Sequence, residues 1–170
     1  MTIGMKQRAS SGEIPAKHLA GIKVQRILAV DYGRKRIGLA ISDDLGLIAK
    51  PLATLSRTNR SNDFRRLRDI CRAQGVVRII VGHPLHLTGE ASPMSDEAER
   101  FAGRLKKELG IPVELQDERL TSWEAERTVA ETKSHSRRRE PLDEVAAAIL
   151  LRDYLEQKRS QRRVATVERD

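Results

Sequence analysis

A single cysteine, few aromatic residues and no long apolar run set the first limits on this chain of 170 residues. Cys71 has no second thiol to pair with, so no internal disulfide staples the fold, and its place among Phe64, Leu67 and Ile70 marks it as a core thiol. Aromatics make up only 3% of the chain, too few for a broad base-stacking platform. No stretch approaches the roughly 20 apolar residues that a membrane span needs, and no apolar h-region follows the N-terminal lysines and arginines. The expectation is a cytoplasmic protein with no membrane partner. Clusters of cysteine and histidine with structural-zinc spacing are lacking, and so is a Gly-rich Walker-type phosphate loop. The length suits one domain with a real hydrophobic core and leaves no room for a second lobe.

What the chain does have is positive charge. Its 32 Lys and Arg against 24 Asp and Glu give a net charge of +8 and a pI near 10.1. A polyanion is therefore the expected large partner, nucleic acid first, although charge alone names no reaction and also fits a merely soluble basic chain.

Residues 1–25 mix Lys, Ser, Gly and Pro without periodicity and read as a flexible basic leader. A folded domain over 26–156 follows. Arg26–Val30 is a buried strand, Asp31–Lys35 a turn, Arg36–Ser42 a second strand and Leu47–Leu55 a third, an antiparallel meander. Phe64, Leu67, Ile70 and Cys71 then recur at helical spacing after Asn62, a candidate N-cap, and Gly75 stops that helix. Val76–Val81 is a β-branched run of the kind that fully covered parallel strands carry, followed by a loop from Gly82 to Pro93. Ala98, Phe101, Ala102, Leu105 and Leu109 mark one face of a second helix closed by Gly110. Pro112–Gln116 is the next strand. Thr121 and Glu124 have capping-box spacing for a helix that presents Trp123 early. Lys133–Arg139 is a polar basic loop, and Pro141 fits the first position of a final helix through about Tyr154. Residues 157–170 read as a polar, fraying tail. The class is α/β, a five-stranded mixed sheet with the antiparallel meander first and parallel strands after it, flanked by helices in the ribonuclease H-like order.

Three acidic residues stand out in three separated settings. Asp31 ends an apolar run and precedes Tyr32-Gly33, Glu118 ends the run from Pro112 through Asp117, and Asp143 lies in the first turn of the last helix. Each has a bland alternative, since acids are common at strand ends and favour the helix dipole. If the fold gathers all three at one sheet edge, their oxygens can hold Mg²⁺ or Mn²⁺ beside a phosphate. That is a nuclease-like constellation.

The local motifs Asp31-Tyr32-Gly33, Arg36-Ile37-Gly38-Leu39-Ala40 with Ser42-Asp43, Val81-Gly82-His83-Pro84-Leu85, Asp117-Glu118-Arg119-Leu120-Thr121 and Asp143-Glu144-Val145-Ala146-Ala147 resemble, in this order, the YqgF family. These RuvX-like proteins of ribonuclease H-like fold are also described as Holliday junction resolvases. The resemblance covers roughly residues 26–156. It implies that Asp31, Glu118 and Asp143 match the family's catalytic, metal-binding triad, with Mg²⁺ or Mn²⁺ as cofactor. It also implies phosphodiester hydrolysis, on precursor 16S ribosomal RNA at its 5′ end in ribosome biogenesis or, alternatively, on four-way DNA. The loop departs from the family pattern: it reads His83-Pro84-Leu85-His86-Leu87-Thr88-Gly89, where a Leu before the Pro and an Asn and Asp after the Leu are typical.

Basic side chains flank each acid. Arg34, Lys35 and Arg36 follow Asp31, Arg119 adjoins Glu118, and Arg137, Arg138 and Arg139 precede the helix of Asp143, which suits contact with phosphates. The last run has the alternative of a solvated loop. His83 and His86 are candidate substrate contacts rather than metal ligands, because a proline-broken loop lacks fixed helical spacing. Tyr32 either stacks on a sugar or base or packs across its own turn. Two rivals remain. An actin-like or sugar-kinase ATPase also begins with Asp-x-Gly, but it needs a second lobe. A non-catalytic RNA-binding ribosome-assembly factor would leave three phosphate-repelling carboxylates unexplained. Monomer and homodimer both stay open.

Overall fold

The computed structural model describes residues 25–120 and 142–167. Strands β1 (Arg26–Tyr32), β2 (Arg36–Ser42) and β3 (Ala49–Ser56) precede helix α1 (Arg60–Gln74) and strand β4 (Val76–His83). Helix α2 (Pro93–Leu109), strand β5 (Val113–Asp117), a 3₁₀ turn (Glu118–Leu120) and helix α3 (Leu142–Val167) complete the described elements. The sheet order is β3-β2-β1-β4-β5. Pairing is antiparallel from β1 to β2 and from β2 to β3, and parallel from β1 to β4 and from β4 to β5, the mixed five-stranded architecture that the sequence predicts.

Strand alternation divides large from small side chains between the two faces. Leu28, Val30, Ile37, Leu39, Ile79 and Val81 form one core with Phe64, Leu67 and Cys71 of α1 and Phe101, Ala102 and Leu105 of α2. The opposite face carries Ala29, Ala40 and Ile80, packed against Ala147, Leu150, Leu151, Tyr154 and Leu155 of α3. Small residues there let α3 lie close to the strands. Pro51 sits in β3, an edge strand, beside the register shift between Leu39 and Ala40, where a missing N–H costs no ladder bond.

Several boundaries differ from the sequence expectation. β1 continues through Tyr32, so Asp31 lies inside the strand rather than in the turn, and β4 runs on to His83. β3 starts at Ala49, because the Asp43 carboxylate accepts from the backbone N–H groups of Leu47 and Ile48 and holds them in the turn. The N-cap of α1 is Asn59, not Asn62: its side chain accepts from the Asn62 N–H at 2.9 Å. α3 does not end near Tyr154 but continues to Val167. Its extension, through part of the segment read as a polar tail, contains neither Gly nor Pro and is tied by Gln116 to Gln157 and by Arg159 to the Leu47 carbonyl. The leader through residue 24, the predicted helix from Thr121 with Trp123, the loop of Arg137, Arg138 and Arg139, and Pro141 lie outside the described residues. No described helix is long and apolar enough to cross a membrane.

Candidate functional site

Two glycines fix how closely Asp143 and Glu118 approach the strands beside Asp31. Asp31 pairs in register with Gly38 of β2, and a Cβ on Gly38 would overlap the backbone of Asp143. The first turn of α3 therefore rests directly on the strand beside Asp31. On the other side of β1, the parallel register Val30–Val81 puts Gly82 of β4 next to Asp31. A Cβ on Gly82 would overlap the Glu118 carboxylate and touch Leu150 of α3 at 3.4 Å. By alternation Asp31 shares its face with Ala29, which packs under α3. All three half-buried acids thus lie on the α3 face, over β2, β1 and β4.

The surrounding charges are paired. Arg36, on the same face of β2, donates from Nε to Asp143 Oδ2 at 2.5 Å. Asp117 is clamped by Arg119, whose Nη2 reaches Oδ2 at 2.6 Å and whose backbone N–H reaches Oδ1 at 3.0 Å. The Arg119 hydrogen bond, with lesser help from the charges of Arg119 and His83, holds the Asp117 carboxyl below the usual carboxylate range. Arg34 forks onto Glu97 of α2, with Nη2 to Oε1 at 2.7 Å and Nε to Oε2 at 3.3 Å, and this hydrogen bond lowers the Glu97 carboxyl likewise. Lys35 is exposed at the tip of the β1–β2 turn.

His83 ends β4 opposite Asp117. His86 closes a short turn in which its carbonyl accepts from the Gly89 N–H at 2.8 Å and its own N–H donates to the Glu90 carbonyl at 3.0 Å. Gly89 has φ +89° and lies so close to Arg119 that a Cβ there would meet Nη1 at 3.0 Å, which brings the histidine loop to the Glu118 side of the site. Tyr32 faces the other side of the sheet, where it packs on Phe101 at 4.8 Å between ring centroids and accepts from Arg57 at 2.9 Å. Its ring is thus held against α2, on the face of the sheet away from Asp31. Sequence reasoning missed the bracing partners Glu97 and Asp117 and the role of Gly38 and Gly82; small residues at alternate strand positions were the available signal for the glycines.

The candidate donors are all oxygens, the kind that suit a hard divalent cation, and the missing Cβ atoms of Gly38 and Gly82 are what let the Asp143 backbone and the Glu118 carboxylate lie close to the strands. Among the described residues, no three His, Cys, Asp or Glu side chains stand close enough together to hold such an ion. Arg36 occupies the Asp143 carboxylate instead.

Comparison with known proteins fits this geometry. A relative from Koribacter versatilis (strain Ellin345) is 42% identical over 134 residues, covering 78% of this chain and 88% of its own. One from Geobacillus kaustophilus (strain HTA426) is 42% identical over 137 residues, covering 79% and 99%. Both bear the name "Putative pre-16S rRNA nuclease". Among solved structures, T. thermophilus RuvC in complex with a Holliday junction substrate superposes with a TM-score of 0.51 at 15% identity, covering 79% of this chain and 96% of that one. That likeness shows a shared fold, the ribonuclease H-like one. The family model described as "RuvX: Holliday junction resolvase" matches residues 25–157, and with relatives this similar over most of its length the chain belongs to that family.

Proposed function

We propose that the protein is a metal-dependent nuclease that hydrolyses phosphodiester bonds of precursor 16S ribosomal RNA at its 5′ end. Family membership and the nuclease names of the relatives support the enzyme class. The observation that most supports the reading is that the Asp143 backbone, over Gly38, and the Glu118 carboxylate, over Gly82, both approach the strands that flank Asp31 on the α3 face.

Asp31, Glu118 and Asp143 would hold Mg²⁺ or Mn²⁺, which when bound activates a water and neutralises charge that develops on the phosphate. The remaining work falls to the chain's own side chains. Arg36 neutralises Asp143 in the described arrangement, so ion binding and the Arg36–Asp143 pair compete for one carboxylate. With that pair open, Arg36 would be free to donate to a phosphate at the same edge, beside Lys35 and Arg34. Arg119, pre-aligned by Asp117, presents a second guanidinium on the Glu118 side. His83 and His86 lie on that side as substrate contacts, and Arg137, Arg138 and Arg139, which precede Asp143 in the sequence, would add further phosphate-binding charge. The second reading, cleavage of four-way DNA, is favoured by the family's own description.

One panel separates the readings: end-labelled ribosomal RNA precursor, single-stranded RNA and four-way DNA, each with Mg²⁺, Mn²⁺ or chelator. Discrete 5′ processing of the precursor with divalent ions is expected, and symmetric junction nicking without it would reverse the order. Asp31→Asn, Glu118→Gln and Asp143→Asn should each abolish cleavage while the protein stays folded, and pairs should lose no more than singles, because groups of one site fail together. Independent multiplicative losses would show that the three acids do not act as one site.

A further inference from the structure

Behind the carboxylate edge, on the opposite face of the sheet, Arg57, Arg60, Arg100 and Arg104 ring an open cavity of about 120 Å³ over Tyr32 and Phe101. Its floor is aromatic: Phe64 stacks on Phe101 at 5.5 Å, and Tyr32 tilts onto Phe101. Its wall is cationic. Arg57 is fixed there, with Nε bonded to Asp63 at 3.2 Å, Nη1 bonded to the Tyr32 hydroxyl and the Gly33 carbonyl, and the guanidinium 4.8 Å from the Tyr32 ring centre. No hydrogen bond from its Nη2 exists among the described residues. Glu97, the one acid of the lining, is already taken by Arg34. The side chains of Arg60, Arg100 and Arg104 close no ion pair among the described residues.

Four guanidinium groups gather at one mouth with Asp63, paired to Arg57, and Glu97, within electrostatic reach of Arg57 and Arg100, as the nearby counter-charges, and a preset guanidinium with an open edge is geometrically suited to an oxyanion. The space takes a phosphate group on an apolar floor. The chain itself links this cavity to the carboxylate edge: Tyr32 follows Asp31, and consecutive strand residues point to opposite faces. The turn between the two faces carries Arg34 and exposed Lys35.

We infer that this cavity is a second phosphate subsite, which holds a backbone phosphate of the nucleic-acid strand after it leaves the carboxylate face and bends over the Arg34–Lys35 turn. The inference rests on the nuclease reading for its substrate class, but its test is a binding measurement that needs no cleavage. Arg100→Ala/Arg104→Ala removes two exposed guanidiniums on one helix face, and Arg65→Ala/Arg72→Ala on α1 removes equal charge outside the cavity.

Fluorescence anisotropy in chelator would compare a long and a very short single-stranded RNA, with melting temperature as the check on folding. The cavity variant is expected to bind the long strand about tenfold more weakly and to lower the salt slope by about 0.7 for each phosphate it no longer neutralises. It should bind the short strand like the control variant. In cleavage assays KM should rise for the long substrate while kcat holds. Equal losses for both lengths, or long-strand binding no weaker than in the control, would overturn the subsite. So would inorganic phosphate raising the melting temperature of the parent but not of the variant while long-strand affinity stays unchanged, since the cavity would then take the free ion. Failure of the nuclease reading would appear separately, as strand binding without cleavage in any divalent ion.

Discussion

Gly38 and Gly82 occupy matching positions beside Asp31, yet the same substitution should act differently at the two. At Gly38 an added Cβ meets the Cα, carbonyl carbon and oxygen of Asp143, backbone atoms that cannot swing aside, so Gly38→Ala must push the first turn of α3 off the sheet. Overpacking of this kind costs about 1–3 kcal/mol, and both the melting temperature and cleavage should fall. At Gly82 the obstacle is the end of the Glu118 side chain. Gly82→Ala should displace that carboxylate, keep most of the stability and still lose activity. Calorimetry beside a turnover assay reads the contrast, and a stable, active Gly38→Ala protein would mean that α3 does not seat there. Cys71 offers an independent check on the other core. Burial pushes its thiol up to about 11, so it should resist thiol reagents at neutral pH until the protein unfolds. Because its folded value lies above the unfolded one of about 8.5, the associated stability is complete below that pH and is lost as pH rises toward 11.

Helix α1 shows at the level of an element what sequence reading captures and where it slips. The spacing of Phe64, Leu67 and Cys71 fixes the buried face, and Gly75, at φ 66°, ends the helix where its freedom from a Cβ predicts. The N-cap was less legible, since Asn59 and Asn62 are both good caps and only the backbone, extended at Asn59, chooses between them. Asn59→Ala should therefore destabilise by about 1 kcal/mol, whereas Asn62→Ala should cost clearly less; denaturant midpoints measure the difference. The candidate acids stand out in the sequence for a related reason: each lies next to the end or the start of a run whose apolar pattern is plain. Their neighbours across the sheet were not, because Glu97 and Arg34 are 63 positions apart and no local pattern links them. The length of α3 was missed because its apolar stripe ends near Leu155, while Gln157 and Arg159 anchor the polar continuation through long-range contacts.

Across the whole molecule, a net charge of +8 attracts a polyanion, but three acids on the α3 face oppose it locally. The consequence separates a nuclease from a protein that merely binds RNA. Without divalent ions, Asp31, Glu118 and Asp143 raise the electrostatic cost of bringing a phosphate to their edge, and neutralising one of them should reduce that cost. Asp31→Asn in chelator is therefore expected to bind substrate more tightly than the parent, by a few-fold at low salt, while cleaving nothing when Mg²⁺ or Mn²⁺ is restored. Adding either ion should tighten binding by the parent more than by the variant, since the ion cancels the charge that the substitution has already removed. For both proteins affinity should fall linearly on a log–log plot against salt, by about 0.7 for each phosphate contacted on a single strand. Anisotropy titrations with and without divalent ion measure all of these terms. A parent and variant that bind identically in chelator and respond identically to the ion would remove the carboxylate edge from the path of the strand, and with it the case that the α3 face is where the phosphodiester is cut.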